Sequence, residues 1–179
     1  MPDYPITYDW SFFILWGIIL VWQYSAVDLL GVALVGSALI ILISHERAHA
    51  NACIRKNLPI KSLKFTWNGG FLDADIKKAS DYVTVLMAGV RNTACYAIGL
   101  SGIAIFIWFL RDVIRPIGVN FAPTTGYNVF IALTQFSLLL LLVNILPMSF
   151  YSKRLGGVVT TDGWAAWKYR NRGDELIGE

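Results

Sequence analysis

Charged side chains are scarce in this sequence. Asp, Glu, Lys and Arg make up 15% of its 179 residues, whereas hydrophobic residues make up 56%. A typical soluble domain contains about 25% charged residues, so this composition does not fit an ordinary soluble protein. It indicates a protein that lies in a membrane.

Four stretches of the chain contain no charged residue at all. They extend over residues 10–27, 29–45, 92–110 and 116–152. A helix needs roughly 20 apolar residues to cross the hydrocarbon of a bilayer, so each stretch is long enough for one span. We therefore predict an all-α polytopic membrane protein with about four transmembrane helices. The predicted spans are about residues 8–25, 27–50, 82–110 and 127–150 of a single domain covering residues 1–179.

Basic residues are distributed unevenly between the two sides that four spans define. The loop at about residues 50–81 and the carboxy-terminal tail hold most of them, and only two arginines lie opposite. The positive-inside rule then places both termini and this loop in the cytosol, in a protein of the cell membrane. The net charge of +3 could suggest nucleic acid, but membrane orientation explains these loop residues better. We expect the lipid bilayer and no nucleic acid as a partner. No basic region precedes the first run, so we interpret it as a permanent span and not as a signal peptide.

The cytoplasmic loop contains an alternating pattern. Leu63, Phe65 and Trp67 alternate with polar residues, and Asn68, Gly69 and Gly70 follow directly. Such alternation around an Asn-Gly turn is typical of a β-hairpin. We predict a small hairpin on the cytoplasmic side.

Histidine is also scarce, and both copies fall in His45-Glu46-Arg47-Ala48-His49. The pattern H-E-x-x-H on a helix places two imidazoles one turn apart on the same face, where they can bind Zn²⁺. Glu46 stands beside them and can take the proton of an attacking water. A plainer interpretation is a set of polar residues at the membrane surface. Ionisable groups at membrane depth are rare unless they are functional, which favours a metal site.

A catalytic zinc ion needs a third protein ligand. Cysteine is limited to Cys53 and Cys95, whose spacing fits neither a disulfide scaffold nor a zinc knuckle. Cys53 shares a helical face with His45, but eight residues of helix separate the two by about 12 Å, too far to share one metal. Asp162 is the better candidate, because the second and fourth spans end on the same side. It could instead serve only as the N-cap of a short helix.

The order of these motifs resembles the site-2 protease family of intramembrane zinc metalloproteases. The family pattern has H-E-x-G-H, a strand pair with paired glycines, A-G-P-x-x-N, N-x-x-P and a later D-G. The matching segments here are His45 to His49, Gly69-Gly70, Ala88 to Asn92, Asn144 to Pro147 and Asp162-Gly163. The resemblance covers residues 39–164, most of the chain.

The resemblance implies an enzyme that hydrolyses peptide bonds in or near transmembrane segments of membrane-protein substrates. By similarity, His45, His49 and Asp162 would bind one Zn²⁺ per chain, and Glu46 would activate the water. Asn92 would steady the oxyanion or orient the substrate carbonyl, although it could equally be a packing amide between helices.

Substrate binding is also expected by similarity. Gly69 and Gly70 belong to the hairpin, and an exposed strand at residues 62–67 could take up an unwound substrate segment by strand addition. The hairpin could equally be a simple interfacial anchor. Asn144 and Pro147 would break the fourth helix near the metal and let the chain turn back toward it.

This sequence departs from the family pattern in several places. Ala48 and Val90 replace a family glycine and proline, and residues 148–161 are about ten residues longer than the compact family pattern.

Three other functions are alternatives to a peptidase. A di-iron oxidase would need further histidines or glutamates on facing helices. A transporter would be expected to show unwound paired helices or inverted halves. The alternative closest to the prediction is a catalytically inactive zinc-binding membrane protein that acts as a scaffold or transport component.

Overall fold

The computed structural model describes residues 4–27, 29–66, 69–114, 125–147, 149–152 and 157–176. Trp67 and Asn68 of the predicted hairpin lie outside these residues. The elements follow one another as β1 (Ile6–Tyr8), α1 (Trp10–Val27), α2 (Leu29–Arg55), β2 (Ile60–Thr66), β3 (Gly69–Ala74), α3 (Ala79–Ile114), α4 (Thr125–Ile145), β4 (Ser149–Ser152), β5 (Gly157–Thr160) and α5 (Asp162–Tyr169).

The four long helices lie close to the predicted spans in sequence, but the described parts of three of them do not reach the length and hydropathy needed to cross a membrane. Within the described residues, α3 alone is long and apolar enough to cross a membrane, over Ala79–Leu110. The apolar segments Trp10–Trp22 and Leu133–Ile145 are shorter, and the second half of α2 carries charged and imidazole side chains that suit hydrocarbon poorly. The prediction of an all-α protein with about four transmembrane helices is therefore wrong. It equated charge-free runs with spans, and besides the predicted hairpin it missed β1 and the sheet of β4 and β5.

The helices expose much of their apolar surface. In the apolar part of α3 only 17% of the residues are buried, and Ile98, Phe106 and Trp108 are all more than half exposed. On α1, Trp10 and Trp22 are exposed as well. An apolar surface of this extent is typical of a contact with lipid or with another protein.

The predicted hairpin belongs to a three-stranded sheet. β2 and β3 pair antiparallel with Phe65 opposite Gly70, and β1 pairs parallel to β2 with Tyr8 opposite Phe65. β2 is thus the central strand, and the prediction of an exposed strand at residues 62–67 is wrong because β1 lies along its other side. Among the described residues, the free edge next to α2 belongs to β3.

The sheet is fixed to the helices by a small apolar core. Leu63 and Phe65 of β2 are fully buried against Phe12 of α1, and Leu39 and Leu42 of α2 pack on this cluster. Burial of such side chains stabilises the fold by about 1.5–3 kcal/mol each. The core holds β3 close to the second half of α2.

A second hairpin accounts for the long segment before α5. β4 and β5 pair antiparallel with Ser149 opposite Thr160, whereas residues 148 and 153–156 lie outside the described residues. The chain therefore returns to the end of α4, where the Thr161 hydroxyl donates a hydrogen bond to the Leu146 carbonyl. This return brings Asp162 beside α2.

Candidate metal centre

α2 and α5 bring three potential metal ligands together. Nε2 of His45 and Nε2 of His49 each lie 3.0 Å from Oδ2 of Asp162. The two Nε2 atoms are 3.2 Å apart, and both imidazoles are buried. His45, His49 and Asp162 could therefore hold a metal ion.

The other ring nitrogens of the imidazoles have partners that orient them. His49 Nδ1 lies 2.8 Å from the Val85 carbonyl, to which it can only donate. The Thr93 hydroxyl donates to the Gly89 carbonyl and lies 2.7 Å from His45 Nδ1, so it accepts the proton of that nitrogen. Both rings then turn Nε2 toward Asp162, as is usual for metal-binding histidines.

Gly89 on α3 packs directly against the two imidazoles. A Cβ atom at this position would overlap the His49 ring and lie 2.8 Å from Cε1 of His45. The bare backbone therefore lets α3 approach α2 closely enough for Val85 and Thr93 to reach the rings. Gly89 was not predicted as a site residue. Two signals were available: its place in the segment matched to A-G-P-x-x-N, and a glycine inside a helix, which costs about 1 kcal/mol relative to alanine and so suggests a packing role.

Gly163 determines where Asp162 lies. A Cβ atom at Gly163 would come within 2.8 Å of the Asn144 carbonyl oxygen and 3.1 Å of Cα of Ile145. The first turn of α5 can therefore rest directly on the last turn of α4. Thr161, and not Asp162, is the N-cap of α5. The Asp162 carboxylate therefore does not cap the helix, and it lies against the imidazoles instead.

Asn144 and Pro147 shape the end of α4. The Asn144 amide donates to the Leu140 carbonyl of its own helix at 3.0 Å, and α4 ends at Ile145, shortly before Pro147. Pro147 lines an apolar groove together with Trp164 of α5. The structure places both residues where the chain turns back, and their side chains are not among the three ligands.

Cys53 is separate from the metal site. It is fully buried one turn beyond His49, in an apolar cluster with Ala52 and Val85. Burial raises the pKa of its thiol to about 11, helped by the nearby carboxylate of Asp81. A thiol of this kind is an inert packed side chain and not a reactive thiolate.

Glu46 lies between the metal site and the sheet. The Gly70 N–H donates to Glu46 Oε1 at 3.2 Å, and a Cβ atom at Gly70 would overlap the carboxylate. Burial raises the pKa of Glu46, although His49 and His45 oppose this effect. Gly70 thus contacts the predicted base, whereas Gly69 begins β3 with a φ of +133° that favours glycine.

The three candidate ligand side chains shift one another's pKa values through charge and hydrogen bonding. Burial alone raises the pKa of Asp162, but hydrogen bonds from His45 and His49 outweigh it and hold this pKa well below its usual range. Burial lowers the pKa of His49, yet the bond to Asp162 raises it overall to about 9. A metal ion that binds here must displace a proton from His49.

The structure places Asn92 in a different location from Glu46. Asn92 lines a cleft with Ser44, Arg47 and Tyr96, whereas Glu46 faces β3. Its Oδ1 atom is buried and has no hydrogen-bond partner among the described residues. The adjacent residue, Thr93, is the one that contacts the metal site.

No protein-family model matches the chain, and neither does any curated protein. The resemblance to site-2 proteases therefore stays a prediction from the motifs. The candidate metal site rests on its own geometry, in which two imidazoles of α2 meet a carboxylate that lies more than a hundred residues further along the chain.

Proposed function

We propose that this protein is a zinc-dependent endopeptidase of the site-2 protease type, which cleaves membrane-protein substrates in or near their transmembrane segments. One observation carries the proposal: His45, His49 and Asp162 converge at 3.0–3.2 Å, with the buried Glu46 next to His45 in the sequence. This combination of three ligands and a neighbouring carboxylate suits hydrolysis better than a purely structural site.

The donor set and its spacing fit zinc. Two imidazole nitrogens and one carboxylate oxygen are typical of catalytic zinc sites, which keep a fourth position for water. Tetrahedral zinc with bonds of about 2.0 Å has ligand atoms about 3.3 Å apart, close to the distances of 3.0–3.2 Å observed here. Mg²⁺ and Ca²⁺ prefer oxygen ligands throughout, so two imidazoles argue against them.

Glu46 is suited to act as the general base. Bound zinc supplies acidity to a coordinated water and polarises the substrate carbonyl. The Gly70 N–H holds Oε1 of Glu46, which leaves the other carboxylate oxygen to accept a proton. Because burial raises the pKa of Glu46, this carboxyl can keep the proton and pass it to the leaving amine.

The free edge of β3 is suited to bind the substrate backbone. β3 lies next to α2 and contacts Glu46 through Gly70, so a segment paired along this edge would pass close to the metal site. An intact substrate helix hides its carbonyls in its own hydrogen bonds, and strand addition replaces those bonds after local unwinding.

The outward apolar faces of α1 and α3 support a location in a membrane, and we place the metal site toward the cytosol.

The proposal is tested with purified protein and a single-span membrane substrate whose helix contains glycine and asparagine. Cleavage should fall at least about 100-fold when a chelator such as 1,10-phenanthroline removes the metal. Without the ion, neither the attacking water nor the substrate carbonyl is activated. Zinc should restore it and magnesium should not. Cleavage that continues at full rate in the metal-free protein would exclude a metallopeptidase.

A further inference from the structure

A separate cleft of about 930 Å³ lies between α2 and α3. Its lining on α2 includes Ser44, Arg47 and Asn51, which follow one another at helical spacing on a face that does not carry Glu46. The lining on α3 includes Asn92 and Tyr96. The cleft is therefore distinct from the metal site, and nothing in the proposed hydrolysis makes use of it.

The cleft contains positive charge without a matching carboxylate. Arg47 and Arg55 both line it, and among the described residues neither guanidinium forms an ion pair. Arg55 donates through Nε to the carbonyl of Asn51 at 3.3 Å, which leaves its terminal nitrogens available. Guanidinium groups of this kind recognise phosphate through paired hydrogen bonds.

The cleft has an apolar end and a mixed, basic end along α2. Ile40 and Ile43 line the apolar end, whereas Arg47 and Arg55 line the other end together with Ile54. A hydrogen bond of 3.2 Å from the Tyr96 hydroxyl to the Ser44 hydroxyl aligns α2 with α3. The apolar end therefore lies beside the charge-free part of α3, and Arg47 lies near the position where that part ends.

Asn92 on α3 adds a hydrogen-bond acceptor that a ligand in the cleft could satisfy. Its Oδ1 atom is buried and has no hydrogen-bond partner in the described part of the chain. A buried carbonyl oxygen is costly to leave unpaired, and because Asn92 also lines the cleft, a turn of its amide toward the cleft would let a ligand hydroxyl or amine pair with this atom.

We infer that this cleft binds one anionic phospholipid of the phosphatidylglycerol type. Its phosphate lies against Arg47, with Arg55 adding attraction, and an acyl chain follows Ile40 and Ile43. A glycerol hydroxyl of the headgroup donates to Asn92 once its amide has turned toward the cleft. This assignment does not depend on the peptidase reaction.

The inference is tested by native mass spectrometry of the full chain in a neutral detergent. Dioctanoyl phosphatidylglycerol should bind at one molecule per chain and at least about tenfold more tightly than dioctanoyl phosphatidylcholine, whose headgroup carries no net charge. Inorganic phosphate at about 10 mM should not displace the lipid, because it lacks the acyl contacts. Displacement by free phosphate would assign the cleft to a soluble anion and overturn the lipid inference.

Arginine variants locate the binding. Arg47→Gln should weaken phosphatidylglycerol binding at least about fivefold through loss of the paired hydrogen bonds. Arg91→Gln is the matched control, because Arg91 is exposed next to Asn92 on α3 and does not line the cleft. It should leave the affinity within about twofold. Equal weakening by both variants, or no weakening by Arg47→Gln in a protein with unchanged helix content, would contradict the inference.

Discussion

Glu46→Gln is expected to abolish peptide hydrolysis and to leave the metal in place. The substitution preserves shape, and its amide oxygen can still accept the hydrogen bond that Gly70 donates to Glu46 at 3.2 Å. The amide cannot take a proton from water, however, and loss of a general base typically lowers the rate by about 10²–10⁴-fold. The three metal ligands are unchanged, so metal content should remain that of the unmodified protein.

The measurement combines the turnover of a single-span substrate with metal content for each variant. Glu175→Gln is the matched control, because the Glu175 carboxylate is exposed and, among the described residues, its ion pair is a long contact of 3.9 Å with Arg172. This control should cleave at the unmodified rate. Undiminished cleavage by Glu46→Gln would remove the proposed base, and loss of the metal in this variant would make Glu46 a structural residue.

Gly89→Ala is expected to prevent metal binding although it adds a residue that favours helices. Alanine gains about 1 kcal/mol over glycine in a helix interior. Its Cβ atom, however, would overlap the His49 ring and crowd His45. The imidazoles must then turn away from Asp162, and we expect metal affinity to fall at least about 100-fold, at the upper end of effects seen for residues that orient metal ligands.

Gly99→Ala is the matched control for this steric effect. Gly99 lies on the same helix, and a Cβ atom there would meet nothing within 4 Å. Competition with a chromophoric chelator measures the metal affinity of both variants. Gly99→Ala should bind like the unmodified protein. If Gly89→Ala also does so, the close approach of α3 is not what positions the imidazoles.

The sequence predicts the local part of the site well. His45, Glu46 and His49 are placed relative to one another by the geometry of a single helix, so their spacing alone indicates a metal motif. Asp162 is different, since its position depends on a hairpin of β4 and β5 and on the contact of Gly163 with α4. Such tertiary contacts leave no periodic signal, so only the expected order of the spans and the resemblance to a known family pointed to this residue.

The wrong predictions of the membrane spans and of an exposed strand also have physical causes. Charge-free runs measure composition, whereas a span requires one helix that is both long and apolar enough, which within the described residues only α3 satisfies. β1 is three residues long and pairs with a strand more than fifty residues away, so no local alternation announces it. Thr93 and Gly89 act through the packing of α3 on α2, which a single sequence does not encode in its spacing.

The zinc content of purified protein tests the central claim most directly, because the claim is that His45, His49 and Asp162 together hold one ion. Unmodified protein and Cys53→Ser should each contain about one zinc per chain after dialysis against a weak chelator, whereas Asp162→Ala should lose it. Cys53 is buried in its own apolar cluster, so its replacement should not affect the metal. Full zinc retention in Asp162→Ala, with loss in Cys53→Ser, would contradict the account.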